Sequence, residues 1–176
     1  EEINAHRVPL LIGEFGMNGK PFSKEMIEFS VNIADTMGAG WAWWDNSACE
    51  PGQPLQHWCL WDENLTEMPK LDSLVRTYPR AVAGTPTAFG FDPASKEFFL
   101  EFESDPDIAA PTEIYLPARR HYPGGWEVQS SDPDGRWRYE WDEQRELLLL
   151  WPDPERQAHR IEIRRLEPDA GGPPGP

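Results

Sequence analysis

The run Val8-Pro-Leu-Leu-Ile-Gly-Glu-Phe-Gly16 constrains this chain more than any other segment. Apolar residues on both faces of a short run predict a strand covered on two sides, as in a parallel sheet flanked by helices. The run closes on a single acid, Glu14, with Gly13 and Gly16 close by. A carboxylate is costly to bury, so at the end of such a strand it either reaches solvent or is held there for chemistry. In a (β/α)-barrel the C-terminal strand ends carry the active site, and Glu14 stands where a catalytic acid would be placed.

The next residues continue an alternation of strand and helix. Ser23 to Met37 predict a helix with Met26, Phe29, Ile33 and Met37 on one face, Ser23 as N-cap and Gly38 as its stop. Gly40-Trp-Ala-Trp-Trp-Asp45 predicts a second strand, a long loop runs from Asn46 to Met68, and Pro69 opens a short helix through Arg76. The order β-α-β-loop-α fits the last two units of a TIM (β/α)8 barrel. Such a barrel takes roughly 250 residues, so residues 1–79 are expected to be its incomplete C-terminal portion, with the N-terminal portion missing from this chain.

Beyond Tyr78-Pro79 the pattern changes to short strands. Thr87–Phe91 and Glu97–Phe102 flank Asp92-Pro-Ala-Ser-Lys96, a hairpin signal, and further strands are expected at Thr112–Leu116, Trp126–Gln129, Arg136–Trp141, Leu147–Trp151 and Arg160–Arg165. Seven short strands separated by Pro, Gly and Asp turns predict a small antiparallel β-sandwich over residues 80–168, with a disordered tail at 169–176. The fold class expected is therefore α/β followed by all-β.

The formal net charge of -15 repels phosphates and anionic headgroups. It argues against nucleic acid and against docking on an anionic membrane. No stretch approaches the ~20 apolar residues of a membrane-spanning helix. Cys49 and Cys59 are either two thiols or one disulfide, and a disulfide would favour export. His57-Trp-Cys59 lacks the spacing of a zinc site, so neither a metal nor any other cofactor is expected. The nine tryptophans suit sugar stacking and core packing equally until their positions are considered.

Three segments carry a resemblance to glycoside hydrolase family 5, and within it to the endoglycoceramidase branch. Gly13-Glu-Phe-Gly16 resembles the seventh-strand motif, Gly40-Trp-Ala-Trp-Trp44 the eighth strand, and Tyr78-Pro-Arg-Ala-Val-Ala-Gly-Thr-Pro86 the junction into the following β-sandwich. The junction is the most specific of the three. The resemblance implies a retaining β-glycosidase, in which Glu14 is the nucleophile, Trp44 forms part of the innermost sugar subsite, and the partner is a glycan or glycolipid. The family places its acid/base Glu in an Asn-Glu-Pro context, and this sequence contains none. General acid catalysis is worth roughly two to four orders of magnitude, so the chain alone is expected to be inactive.

Period-two alternation turns Trp41 and Trp43 toward the helices and leaves Trp44 near the barrel mouth. Asn46, just beyond, is a candidate to hydrogen-bond a sugar hydroxyl. Trp58 and Trp61 are expected to pin the long loop. In the second domain, alternation in Trp137-Arg-Tyr-Glu-Trp141 predicts a buried aromatic face, and Arg119-Arg120-His121-Tyr122 reads as a solvated turn. The sandwich is therefore expected to be structural. Alternatives to a glycolipid hydrolase are a family 5 β-glucosidase or endoglucanase acting on free glycans, or a non-catalytic carbohydrate- or lipid-binding protein. The family habit and the cysteine pair favour a secreted product.

Overall fold

A computed structural model describes residues 8–17, 23–52 and 58–166. The tail, His57 and the residue preceding Ser23 lie outside the described residues. The chain forms two compact units, Glu1–Val75 and Arg76–Pro176.

In the first unit β1 (Leu11–Phe15) pairs in parallel with β2 (Gly40–Trp43), and α1 (Ser23–Thr36) connects them; α2 (Leu71–Leu74) follows the long loop. Helix α1 takes in Ser23 itself and stops two residues before Gly38, whose φ of 60° lies in the left-handed region that favours glycine. There the Ala39 N–H donates to the Ala34 carbonyl (2.8 Å) and the Gly38 N–H to Asp35 (3.0 Å), satisfying carbonyls the helix end leaves open.

Which face α1 buries differs from the expectation. Ile27, Val31 and Ala34 are the buried residues, packed with Leu60 and Leu74 and flanked by Phe15, Trp41, Trp43 and Trp61. Met26, Phe29, Ile33 and Met37 are exposed instead. The helix carries two apolar stripes, and the one with smaller and β-branched residues approaches the strands. Phe29 and Ile33 border a shallow hollow of about 260 Å³ beside Ile12 and Trp41.

The strands also depart from burial on both faces. Ile12, Phe15, Trp41 and Trp43 are half-buried on the helix side, and Phe15 meets Trp41 and Trp43 edge-on at 5.6 and 5.3 Å. The other side stays open, with Leu11 66% exposed. Two strands and one helix cover a single face, so the described residues form a β-α-β unit and not a closed barrel.

Among the described residues the second unit holds eight strands: β3 (Tyr78–Ala81), β4 (Gly84–Phe91), β5 (Phe98–Ser104), β6 (Thr112–Tyr115), β7 (Trp126–Ser130), β8 (Arg138–Asp142), β9 (Leu147–Trp151) and β10 (Ala158–Arg165), with α3 (Ala118–His121) between β6 and β7. They form two antiparallel four-stranded sheets, β4-β5-β10-β7 and β3-β6-β9-β8. Leu100, Phe102, Ile161 and Ile163 of one sheet share a core with Ile114, Leu148 and Leu150 of the other. This is sandwich packing, and each such side chain contributes roughly 2 kcal/mol by leaving water.

Three features of this unit were not foreseen. Strand β3 carries Pro79 and pairs at the sheet edge with β6, the one place a ladder tolerates a missing N–H. Arg119-Arg120-His121 is not a solvated turn but the end of α3, with Ala118, His121 and Tyr122 buried. The Tyr122 hydroxyl donates to the Lys96 carbonyl and meets Thr77 Oγ1, each at 2.8 Å, and burial pushes its pKa up to about 12. Finally, the face of Trp137, Tyr139 and Trp141 is only partly covered, with Tyr139 41% exposed. Strand β8 is an edge strand, so alternation there separates half-buried from exposed rather than core from solvent.

At one end of the sandwich a buried polar brace joins three segments. Asp132 accepts from His159 Nδ1 at 2.9 Å and from the Asp153 N–H at 3.0 Å, while His159 Nε2 lies 3.1 Å from Ser104 Oγ. The order of groups matches a hydrolase relay, but Ser104 Oγ also lies 3.2 and 3.4 Å from the Arg156 and Gln157 carbonyls. Its hydroxyl is therefore enclosed by acceptors, and we read the trio as structural.

Candidate active site

Parallel pairing sets the geometry of the site. Ile12 stands opposite Trp41 and Phe15 opposite Trp43, and the Trp44 N–H donates to the Phe15 carbonyl at 2.7 Å. Parallel strands end on the same side, so Glu14 and Trp44 come to neighbouring strand ends. The register shifts between Ile12 and Phe15. Such an irregularity re-aims side chains at a strand end, and Glu14 is exposed while Phe15 packs toward the helix side.

Gly16 permits this closeness. A Cβ on it would lie 2.4 Å from the Trp44 carbonyl oxygen and 3.4 Å from Trp58 Cγ. Any larger residue would drive the exit of β1 away from the end of β2. The two glycines of the Gly13-Glu-Phe-Gly16 motif therefore differ in duty, because a Cβ on Gly13 meets nothing within 4 Å.

The three tryptophans of β2 and its end take separate positions. Trp41 and Trp43 are half-buried among Phe15 and the α1 residues, whereas Trp44 is 48% exposed. The Trp44–Asp45 peptide is cis. Beyond it Ser47 Oγ donates to Asp45 Oδ1 at 2.7 Å. Asn46 accepts from Trp61 Nε1 at 2.8 Å through Oδ1, which leaves its amide nitrogen as the end able to donate to a ligand.

The long loop is tied down from both sides. Trp43 Nε1 donates to the Trp58 carbonyl at 2.8 Å, Trp61 packs on the Ile27 cluster, and Cys49 and Cys59 are disulfide-bonded with Cα atoms 5.3 Å apart. The alternative of two free thiols is thereby resolved. Sequence reasoning singled out Glu14, Trp44 and Asn46 but missed Trp61 as the partner that fixes Asn46; their separation of fifteen residues across a loop gives no periodic signal. Among the described residues no group of three His, Cys, Asp or Glu is arranged to hold a metal ion, and no helix is long and apolar enough to cross a membrane.

Residues 76–163 match the model of the glycoside hydrolase family 5 C-terminal domain, and the chain belongs to that family. Among curated proteins, endoglycoceramidase I of Rhodococcus hoagii is 35% identical over 123 residues, covering 69% of this chain and 21% of its own. Among solved structures, endo-glycoceramidase II from Rhodococcus sp. in a ganglioside GM3 complex superposes with a TM-score of 0.73 at 31% identity, over 91% of this chain and 32% of that one. The same enzyme solved as a lactosyl-enzyme intermediate gives 0.72 at 32% identity, over 91% and 34%. Sterylglucosidase 1 of Cryptococcus neoformans, at 18% identity and a TM-score of 0.71 over 92% and 29%, shares the fold. The chain thus spans about a fifth of the curated relative and about a third of these solved chains. Endoglycoceramidases are O-glycosyl hydrolases, and this chain stands on their branch of the family.

Proposed function

We propose that this chain is the nucleophile-bearing part of a retaining β-glycosidase that releases the glycan of glycosylceramide-type glycolipids. The observation that carries the reading is the parallel register that brings together the strand ends on which Glu14 and the exposed Trp44 stand, on a face that no helix of the described residues covers. A carboxylate oxygen of Glu14 attacks the anomeric carbon and the bond to the leaving alcohol breaks, giving a glycosyl-enzyme. A second carboxylic acid, ~5–5.5 Å away in retaining enzymes, supplies the proton to that alcohol and then takes one from the incoming water. The lactosyl-enzyme intermediate of the solved relative supports a covalent route, and its ganglioside complex supports a glycolipid substrate. The acid/base lies outside this sequence, which lacks the Asn-Glu-Pro context, so the chain alone is inactive in this reading.

Trp44 offers its exposed ring to the sugar, and Asn46 donates its amide N–H to a hydroxyl. In the full-length enzyme, Trp44→Ala is expected to weaken glycan binding and turnover by ~1–3 kcal/mol, the range for loss of an aromatic stacking partner; a wild-type kcat/KM would rule the ring out of the subsite. The Cys49–Cys59 bridge supports an exported enzyme, since disulfides persist in oxidising compartments.

The substrate class is tested by incubating the full-length protein with a lactosylceramide-type glycolipid and, in parallel, with aryl glucosides and cellulose oligomers. Release of intact glycan together with free ceramide is expected. Preferential cleavage of the free glycans would instead make the protein a β-glucosidase or endoglucanase of the same family.

A further inference from the structure

The second unit contains a groove that none of the glycosidase chemistry uses. It has a volume of about 860 Å³ and is lined by Arg119 of α3, Trp126 of β7, Tyr139 and Trp141 of β8, and Glu143 and Glu146 of the turn that follows. Its size falls within the range of small-molecule sites. We propose that this groove binds a phosphocholine-type zwitterion, with the quaternary ammonium among the aromatic rings and the phosphate on Arg119.

Four observations favour that chemistry. The rings of Trp126 and Trp141 lie 4.7 Å apart at 59°, forming a corner rather than the flat platform that stacks on a sugar ring. A compact trimethylammonium group fits against two inclined π faces, which attract it through their quadrupoles. Elsewhere in this unit aromatic faces already carry cations, Arg138 over Trp151 at 3.7 Å and Arg160 over Phe99 at 4.7 Å. Over Trp126, Tyr139 and Trp141 no cation of the described residues is stacked.

The charges are also divided as a zwitterion requires. Glu146 Oε1 accepts the Arg119 backbone N–H at 3.1 Å, and Arg119 Nη2 donates to the Glu143 carbonyl at 3.1 Å. The rest of the Arg119 fork is exposed, and a guanidinium suits a phosphate. The Glu143 carboxylate is exposed at the same rim and forms no ion pair with described residues. As a choline phosphodiester the ligand carries no net charge and evades the repulsion that a net charge of -15 imposes on anionic ligands. The proposal stands on residues of the second unit alone and is independent of Glu14.

The test is titration of the full-length protein with phosphocholine, choline chloride, inorganic phosphate and lactose, read by calorimetry and by saturation transfer to the N-methyl protons. Phosphocholine should bind saturably and more tightly than choline or phosphate alone. Tyr139→Ala and Glu143→Gln, both exposed and outside the core, should each weaken it by about fivefold, the lower range for one cation–π or charge contact. Thermal melting checks that both variants remain folded. Co-sedimentation with phosphatidylcholine vesicles assigns the source: pelleting that Tyr139→Ala reduces marks a lipid headgroup, whereas binding of soluble phosphocholine without pelleting marks a free choline ester. Either supports the site. No saturable response to phosphocholine, or binding unchanged in both variants, overturns the proposal, as does lactose binding that Tyr139→Ala abolishes. Loss of glycosidase activity in Glu14→Gln has no bearing on it.

Discussion

Replacing Glu14 with Gln in the full-length enzyme should lower turnover by roughly four orders of magnitude or more, on the scale seen when a nucleophile is removed from an active site. Gln retains the shape and hydrogen-bonding capacity of Glu but has no anionic oxygen to attack the anomeric carbon. The side chain is exposed at the end of β1, and the first unit's core is built from Ile27, Val31, Leu60 and Leu74. Substitution should therefore change stability by less than about 0.5 kcal/mol, as at most surface positions. KM and the melting temperature should stay near wild type while kcat collapses. A parallel fall in melting temperature would assign Glu14 to structure, and a fewfold loss of kcat would assign the nucleophile elsewhere. Azide supplied to Glu14→Ala should restore release of the glycan as its azide, an outcome a structural role does not produce.

The second large effect concerns stability. Asp132→Ala should destabilise the second unit by about 3 kcal/mol, because it leaves His159 and the Asp153 N–H buried without their acceptor. His159→Ala removes the same link from the other side, so the double variant should lose far less than the sum of the single losses. Denaturant titration followed by tryptophan fluorescence measures each. A loss under about 0.5 kcal/mol in both single variants, or strict additivity, would mean that the brace bears no load. Neither variant should alter kcat well below its melting temperature, since Ser104 and its partners are not in the reacting machinery.

The elements most legible in the sequence were those with local signals. The Asp92–Lys96 turn between two strands announced the β4–β5 hairpin, and the observed pairing of Phe91 with Phe98 closes it. Gly38 marked the stop of α1, and the apolar strand ending in Glu14 marked β1. Periodicity failed where two solutions satisfied it. The stripes Met26-Phe29-Ile33-Met37 and Ile27-Val31-Ala34 are both apolar at helical spacing, and only the packing of Trp41 and Trp43 against the second decides between them.

At β8 the alternation was real but its meaning depended on sheet order. Trp137, Tyr139 and Trp141 share one face, yet an edge position leaves that face half open, and position within a sheet is a non-local property. Strand β3 was hidden by Pro79 and its brevity, and α3 by three consecutive basic or imidazole side chains that resemble a surface turn. In the candidate site, Glu14 and Trp44 were singled out by the motifs that hold them and Asn46 by its place just beyond Trp44. The reason for Gly16, its contact with the Trp44 carbonyl, was not, because it arises only when β1 and β2 pair.

The central claim, that Glu14 is the nucleophile, is tested most directly by trapping the covalent intermediate. The full-length enzyme would be inactivated with a fluorosugar that forms the glycosyl-enzyme readily and hydrolyses slowly, then digested and sequenced by mass spectrometry. The sugar mass is predicted on the peptide containing Gly13-Glu-Phe-Gly16, at Glu14. A sugar carried on any other carboxylate, or turnover of the inactivator without a covalent adduct, would contradict it.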